Sequence, residues 1–395
     1  MNGYEQDSPA PDFESSEKPM KIVFVSNFFN HHQKPVCDEL YRLLGDGNFH
    51  FIETETMPQK RIALGYPIFE SPYCIKTYLD KNSYVKAKQE ILDADAVIFG
   101  SAPEKMLHER VKRGLLTFRY AERIFKEKCG ILRFIKRFFV FRYNYGRNVY
   151  CLCASAYTAY DFSRLGLFKG KCFKWGYFPA VDTSLNINRI LDQKTENSLL
   201  FVGRLLDWKH PEIAIQCLKE VRAAGIDCTL KIIGTGPELE KLEELAAEGG
   251  VQGHVLFLGS LPTEKVREEM SKSKVLLFPS DRKEGWGAVL NEAMSSGCAV
   301  IANSAAGSVK YLIQDGRNGF APSPFDVETI TKISSALFRD GVLCRRIGTQ
   351  AYETMKKDWS PKNAATRLLE LIDSLSTGKP NEIPENEPCS LSKSI

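Results

Sequence analysis

Glu284 and Glu292 stand eight residues apart in the stretch Ser280 to Gly297, SDRKEGWGAVLNEAMSSG. An ionised carboxylate accepts hydrogen bonds from two vicinal hydroxyls at once, the pattern that sugars and riboses present. For the spacing alone, a solvated Glu284 and a Glu292 paired with some Lys or Arg is the competing reading. The flanking elements favour a site. Val275 to Phe278 is an apolar run closed by Pro279, which suits a buried strand. A polar turn holding Gly285 and Gly287 follows. A helical pattern then places Val289, Ala293 and Met294 on one side, and Gly297 ends it. Cys298 to Ala302 starts the next strand. Ligands of open α/β sheets bind at the carboxyl ends of strands, and free amides at a helix start favour an anion.

A second group of charges precedes this unit. The strand Leu199 to Arg204 (LLFVGR) runs into Leu205-Leu-Asp-Trp-Lys209-His-Pro. Arg204 and Lys209 thus flank a short turn. Two cations at one strand end can neutralise a diphosphate, Arg as a fork of donors and Lys as a point charge; an ordinary surface pair is the alternative. Leu230 to Gly234 leads into Thr235-Gly236-Pro237. The third glycine of a G-x-G-x-x-G fingerprint is replaced by Leu239, which argues against NAD. Val255 to Leu258 ends in the turn Gly259-Ser260-Leu261-Pro262.

The stretch EGWGAVLNEAMSSGCAVI closely resembles the E-x7-E signature of the retaining glycosyltransferase family 4, on the GT-B fold. Arg204 and Lys209 are similar to that family's GR-x4-K motif. Asp315, Gly316, Asn318 and Gly319 resemble its late D-G-x-N-G-x turn. The resemblance covers roughly residues 20 to 375 and is strongest from 198 to 322. It implies an α/β chain of two Rossmann-like domains facing a central cleft. It implies retaining, metal-independent transfer of a sugar from a nucleotide-sugar such as a UDP-sugar, which is substrate rather than cofactor. Glu284 would then hold sugar hydroxyls and Glu292 the ribose. Arg204 and Lys209 would stabilise the leaving diphosphate, with Gly285, Trp286 and Gly287 at the helix start. Gly234, Gly236, Ser260 and Leu261 would also lie at the donor. The implied acceptor is a saccharide or lipid-linked sugar in cell-surface polysaccharide or glycolipid synthesis. The rivals are an epimerase or hydrolase of nucleotide-sugars on the same fold, and a catalytically silent sugar-nucleotide-binding subunit.

The chain departs from that family at the first strand-to-helix turn. Lys21 to Ser26 is the first strand, and Pro35 opens a helix. The Gly-Gly pair common in relatives is missing between them. Asn30, His31, His32 and Gln33 stand there as side-chain donors for an acceptor; histidines that only cap or face water are the alternative.

At 395 residues the chain exceeds one ordinary core, so two domains are expected. The expected division is a disordered tail over 1–19, a first domain over 20–182 and a linker over 183–197. The nucleotide-sugar domain follows over 198–360, a helix crossing back over 361–376 and a disordered tail over 377–395. Met1 to Pro19 is polar and carries no signal-peptide pattern. No run of eighteen apolar residues calls for a membrane span. Eleven scattered cysteines without a CxxC pair suggest reduced thiols in a cytoplasm and no metal site.

Net charge is only +4, but Lys105 to Arg147 holds thirteen Lys or Arg against three Glu. Its second half, LRFIKRFFVFRYNYGRN, interleaves cations with aromatics. Arg133, Lys136, Arg137 and Arg142 there suit an anionic membrane surface, peripheral on the inner face of the cell membrane. A basic helix packed on its own domain is the alternative. Nucleic acid, which can select a similar stretch, is not the expected partner.

Overall fold

The computed structural model describes residues 19–62, 66–127, 130–142, 147–182, 184, 186–194 and 197–394. Its strands form two parallel sheets. Parallel strands are covered on both faces, so they read as unbroken apolar runs. The first sheet contains β1 (Ile22–Ser26), β2 (Phe49–Glu53), β3 (Cys74–Lys76), β4 (Ala96–Phe99), β5 (Thr117–Ala121), β6 (Val149–Cys153) and β7 (Cys172–Lys174). The second contains β8 (Ser198–Val202), β9 (Thr229–Ile233), β10 (Val255–Gly259), β11 (Val275–Phe278) and β12 (Ala299–Ala302). The orders are β3-β2-β1-β4-β5-β6-β7 and β10-β9-β8-β11-β12. Each order reverses beside its first strand, and such a reversal opens a crevice for ligands.

β5 was not legible in the sequence. Its residues, TFRYA, place Arg119 in the sheet, with a side chain only 7% exposed. Arg119 meets Glu104 at 2.6 Å and lies over the rings of Phe99 and Phe141. A guanidinium can be buried where its donors are satisfied, by a carboxylate and rings here or by carbonyls elsewhere. Arg110, from the same basic stretch, is fully buried and donates to the carbonyls of Ile91, Ala94 and Leu116 at 2.6–2.8 Å. Part of the expected basic surface is therefore internal scaffolding.

Two boundaries differ from expectation. The linker contains a helix, Ile187–Asp192, capped by the Asn186 side chain and anchored through buried Ile190. Lys194 follows, buried, and donates to the carbonyls of Met270, Ser273 and Ser296 at 2.9–3.0 Å. These carbonyls end the helices Thr263–Lys272 and Ala288–Ser295, where a cation suits the orphan acceptors. This segment packs with the second domain.

The expected C-terminal tail is likewise structured. The helix Pro361–Thr377, started by the Ser360 cap, packs on Lys34–Leu44 of the first domain. The chain then returns along β7. Cys389 donates to the Lys174 carbonyl at 2.7 Å, Lys174 to Ser390 at 2.8 Å, and Ser392 to Cys172 at 2.8 Å. It thereby covers the sheet edge that β7 would leave open. Its polar, Pro-containing sequence hid a segment held mainly by backbone bonds. The tail expected over 1–19 lies outside the described residues, apart from Pro19.

The domains meet through aromatic packing. Trp286, 1% exposed, lies beside Tyr177, Tyr311 and Trp359, with ring centroids 5.8–6.2 Å away. Its indole N–H donates to Asn291 at 2.8 Å, and Asn291 donates to the Tyr177 carbonyl at 3.1 Å.

Candidate active site

The second domain brings two loops together at the ends of β8 and β11. The Asp281 amide donates to the Trp208 carbonyl at 3.0 Å. The Asp281 carboxylate receives the Lys283 amide at 2.7 Å, and the Glu284 amide donates to the Asp281 carbonyl at 3.0 Å. This tight turn aims Glu284 back at the β8 loop, where its carboxylate pairs with Lys209. Both side chains are nearly buried, and the ammonium also lies 4.8 Å from the Trp208 ring. Arg204 is exposed at the end of β8. Burial works against the charged form of His210, but Glu212 and Asp281 together raise its pKa.

Gly287 starts the helix Ala288–Ser295 with φ +88°, the left-handed region that favours glycine. A Cβ there would also lie 2.3 Å from the Phe278 ring. One face of this short helix is buried through Leu290, Ala293 and Met294, so Glu292 projects from the other. Burial raises the Glu292 pKa, and Arg267 opposes that shift.

The first domain holds a cavity of about 1160 Å³ at the carboxyl ends of β1, β4 and β5. Its wall next to the second domain is a chain of bonds. Tyr177 donates to Glu122 at 2.5 Å, and Lys126 binds the other oxygen of Glu122 at 2.5 Å. Gly285 packs directly against them: a Cβ there would lie 2.1 Å from Glu122 and 2.6 Å from Lys126. Thus the loop carrying Glu284 touches the rim of the first-domain cavity.

Residues 183–354 match the family described as glycosyl transferases group 1. The second domain belongs to that family. A GDP-mannose-dependent phosphatidylinositol monomannoside mannosyltransferase of Mycolicibacterium smegmatis is 29% identical over 177 residues, 43% of this chain and 46% of that protein. The sulfoquinovosyl transferase SQD2 of Arabidopsis thaliana is 27% identical, over 92% of this chain and 75% of its own. The chain spans less than half the length of the first curated relatives it matches. Anabaena HepE, solved with UDP, superposes with a TM-score of 0.65 at 15% identity, covering 90% of this chain and all of its own. The two sheets and their topology are those of the GT-B fold.

Within this group 1 domain, several expected donor residues have other roles. The Trp286 side chain is locked in the interdomain aromatic cluster, which leaves only its backbone for a ligand. A Cβ at Gly234 would lie 1.8 Å from the Gly203 carbonyl oxygen, and one at Gly236 would lie 2.2 Å from that of Leu205. These glycines let the β8 and β9 turns touch, which is reason enough for their type. Ser260 is exposed and Leu261 half-buried after β10.

The first-domain loop is also partly self-satisfied. Asn30 donates to Gln33 at 3.0 Å and accepts from the His32 amide at 2.9 Å. Gln33 is buried and contacts Ser26 at 3.4 Å. Asn30, His32 and Gln33 line the cavity; His31 instead packs on His32 and Tyr66. Glu122, Lys126 and Tyr177 were missed because β5, which delivers the first two, was read as part of a basic stretch. Among the described residues, three buried thiols, Cys151, Cys153 and Cys172, lie within 4.8 Å of one another on β6 and β7.

Burial, together with His31 and Arg61, lowers the His32 pKa from 6.5 to about 3. The ring lies flat on Tyr177, with centroids 5.0 Å apart. Its folded pKa lies below the unfolded one, so falling pH protonates the unfolded chain first. The stability that neutral His32 contributes is full above 6.5 and is lost as pH falls towards about 3. At pH 5 the loss should be about 2 kcal/mol. Urea unfolding at pH 7 and pH 5 should show a drop of that size, smaller in His32→Gln. Equal drops in both proteins would remove His32 from this role.

Proposed function

We propose that the protein is a retaining, metal-independent glycosyltransferase that moves a hexosyl group from a nucleotide-sugar to a hydroxyl bound in the first domain. The observation that carries this reading is the pairing of Lys209 with Glu284 across two loops, with Arg204 on the first of them and Gly285 of the second against the rim of the first-domain cavity. Arg204 and Lys209 receive the donor diphosphate, with the amides of Gly285 to Gly287. Glu284 holds hydroxyls of the transferred sugar, and Glu292 the ribose. Ser260 and Leu261 border the base.

The acceptor oxygen bonds to the anomeric carbon on the face from which the diphosphate departs. The anomeric carbon–oxygen bond to phosphate breaks, and the acceptor proton passes to the leaving phosphate oxygen. Nucleoside diphosphate and glycosylated acceptor result. The fixed cations stabilise charge as it develops on that oxygen. The activities in the relatives' names, mannosyl and sulfoquinovosyl transfer, support a hexosyl donor and a glycolipid or saccharide acceptor. The reaction fits the cytoplasmic side of a membrane, with the protein bound peripherally.

A thermal-shift series with UDP, GDP, ADP and their sugar conjugates tests the donor site. A ligand that binds only the folded state at about 100 times its Kd adds roughly 2.7 kcal/mol of stability. One nucleotide should raise the melting temperature of the wild type and not of Arg204→Ala. No shift with any of them would overturn the reading. Donor turnover without an acceptor would replace it with a hydrolase.

A further inference from the structure

His210 closes the short turn Asp207–Lys209, and its amide donates to the Asp207 carbonyl at 3.1 Å. Its backbone has φ +51° and ψ +48°, the left-handed region that a non-glycine residue enters at a cost. Phe325 is left-handed as well, at φ +62°, and the two rings meet edge to face with centroids 4.5 Å apart. Two strained residues from separate loops therefore pack on each other. Strain of this kind persists only where the surroundings hold it, and it gathers at functional sites.

The imidazole, 18% exposed, stands between carboxylates of two elements. Nδ1 lies 2.9 Å from Glu212, at the start of the helix Glu212–Ala223. Nε2 lies 3.7 Å from Asp281, the residue that opens the Glu284 turn. The other charges around it are Asp207 and Lys209 on its own turn, and Lys283, which meets Asp207 at 3.7 Å. Lys209 is already taken by Glu284. Only an imidazolium donates from both nitrogens, so only the charged ring serves Glu212 and Asp281 together. Burial works against that charge, but the two carboxylates raise the His210 pKa above the usual 6.5.

We infer that His210 is a positioning residue of the donor site: as an imidazolium it ties the Lys209 turn to the Glu284 turn, and losing its proton weakens donor binding. This inference rests on the proposed sugar transfer for the word donor. In that reaction Lys209 turns to the diphosphate and Glu284 to the sugar, so their mutual pair opens as the donor arrives. His210 with Asp281, and the Asp281 amide on the Trp208 carbonyl, then keep the two loops at their spacing. The imidazolium, next in the chain to Lys209, also favours the incoming diphosphate. Deprotonation removes both contributions. Donor affinity is therefore highest below 6.5 and falls as pH rises through the folded pKa of His210. By reciprocity, bound donor raises that pKa further.

The full chain is titrated with the nucleotide-sugar that gives the largest thermal shift, at about pH 6 and about pH 8.5. The diphosphate of a nucleotide-sugar carries the same charge at both, so the ligand does not create the difference. Wild type should bind at least about fivefold more tightly at the lower pH, the low end of coupling between linked sites. His210→Asn should bind with wild type's weaker affinity at both. Asparagine tolerates the left-handed backbone, so this variant keeps the turn and loses the titrating group. The His210 ring resonance, assigned by its absence from that variant, should titrate above 6.5. It should move up in pKa with donor and down in Asp281→Asn.

Equal wild-type affinity at the two pH values would overturn the inference and leave the transferase reading standing. So would the same pH dependence in His210→Asn, or a ring pKa that neither donor nor Asp281→Asn moves. Absence of any nucleotide binding at the lower pH would instead remove the transferase reading, and this inference with it.

Discussion

Lys209→Ala and Glu284→Ala are each expected to lower kcat for sugar transfer by roughly 10²–10³-fold, the usual cost of removing one preorganised charge from a transition state. Their effects on stability should differ from their effects on rate. The two side chains neutralise each other at 12% and 11% exposure. Removing either one strands a nearly buried charge, which costs about 3 kcal/mol. Removing both leaves no stranded charge, so the double variant should recover much of that stability. It should recover no activity, because the donor then meets neither the Lys209 ammonium nor the Glu284 carboxylate. A double-mutant cycle on urea unfolding and on kcat separates the two quantities. Near-wild-type kcat in either single variant would remove these residues from the site. Additive stability losses would mean that the ion pair does not couple them in solution.

The second large effect is expected at the domain junction. Trp286→Ala should cost about 4 kcal/mol, as for other buried aromatic truncations. Gly176→Ala should cost a comparable amount by the opposite route. An added Cβ would lie 2.2 Å from Trp286 Cη2, 2.3 Å from Cζ2 and 2.8 Å from Cζ3, with the indole held by Trp359, Tyr311 and Asn291. Those three ring atoms are absent from phenylalanine. In a Trp286→Phe background, the Gly176→Ala penalty should therefore shrink to under about 1 kcal/mol. Denaturant midpoints of the four proteins check this. An unchanged penalty would show that the alanine strains its own backbone rather than the junction. Since Trp286 directly follows Gly285 on the Glu284 loop, the same variants should also raise the donor KM.

The E-x7-E stretch was readable because local chemistry governs it. A short apolar strand, a turn that needs Gly287 at positive φ and an eight-residue helix all follow from neighbouring residues. The parallel sheets were readable for the same reason: β1, β8 and β11 are built on the apolar runs IVFV, LLFV and VLLF. The meeting of Lys209 and Glu284, 75 residues apart, was only implied by motif resemblance; the backbone bond from Asp281 to Trp208 brings it about.

What tertiary structure alone decided concerns partners distant in sequence. Arg119 can occupy a buried strand because Glu104 and two rings receive it. Residues 389–392 are held in place because β7 offers an open edge. Trp286 looked like a donor contact, but Gly176, 110 positions earlier, leaves the hollow that takes its ring. In the basic helix, composition announced charge and aromatics without saying which side faced what. Packing of Phe134 and Phe141 set the rotation, and that rotation turned Arg133, Lys136 and Arg137 towards the cavity and Ile131, Ile135 and Phe139 towards solvent. Local propensity fixes what an element is; its orientation depends on which face finds a buried partner, and that partner lies elsewhere in the chain.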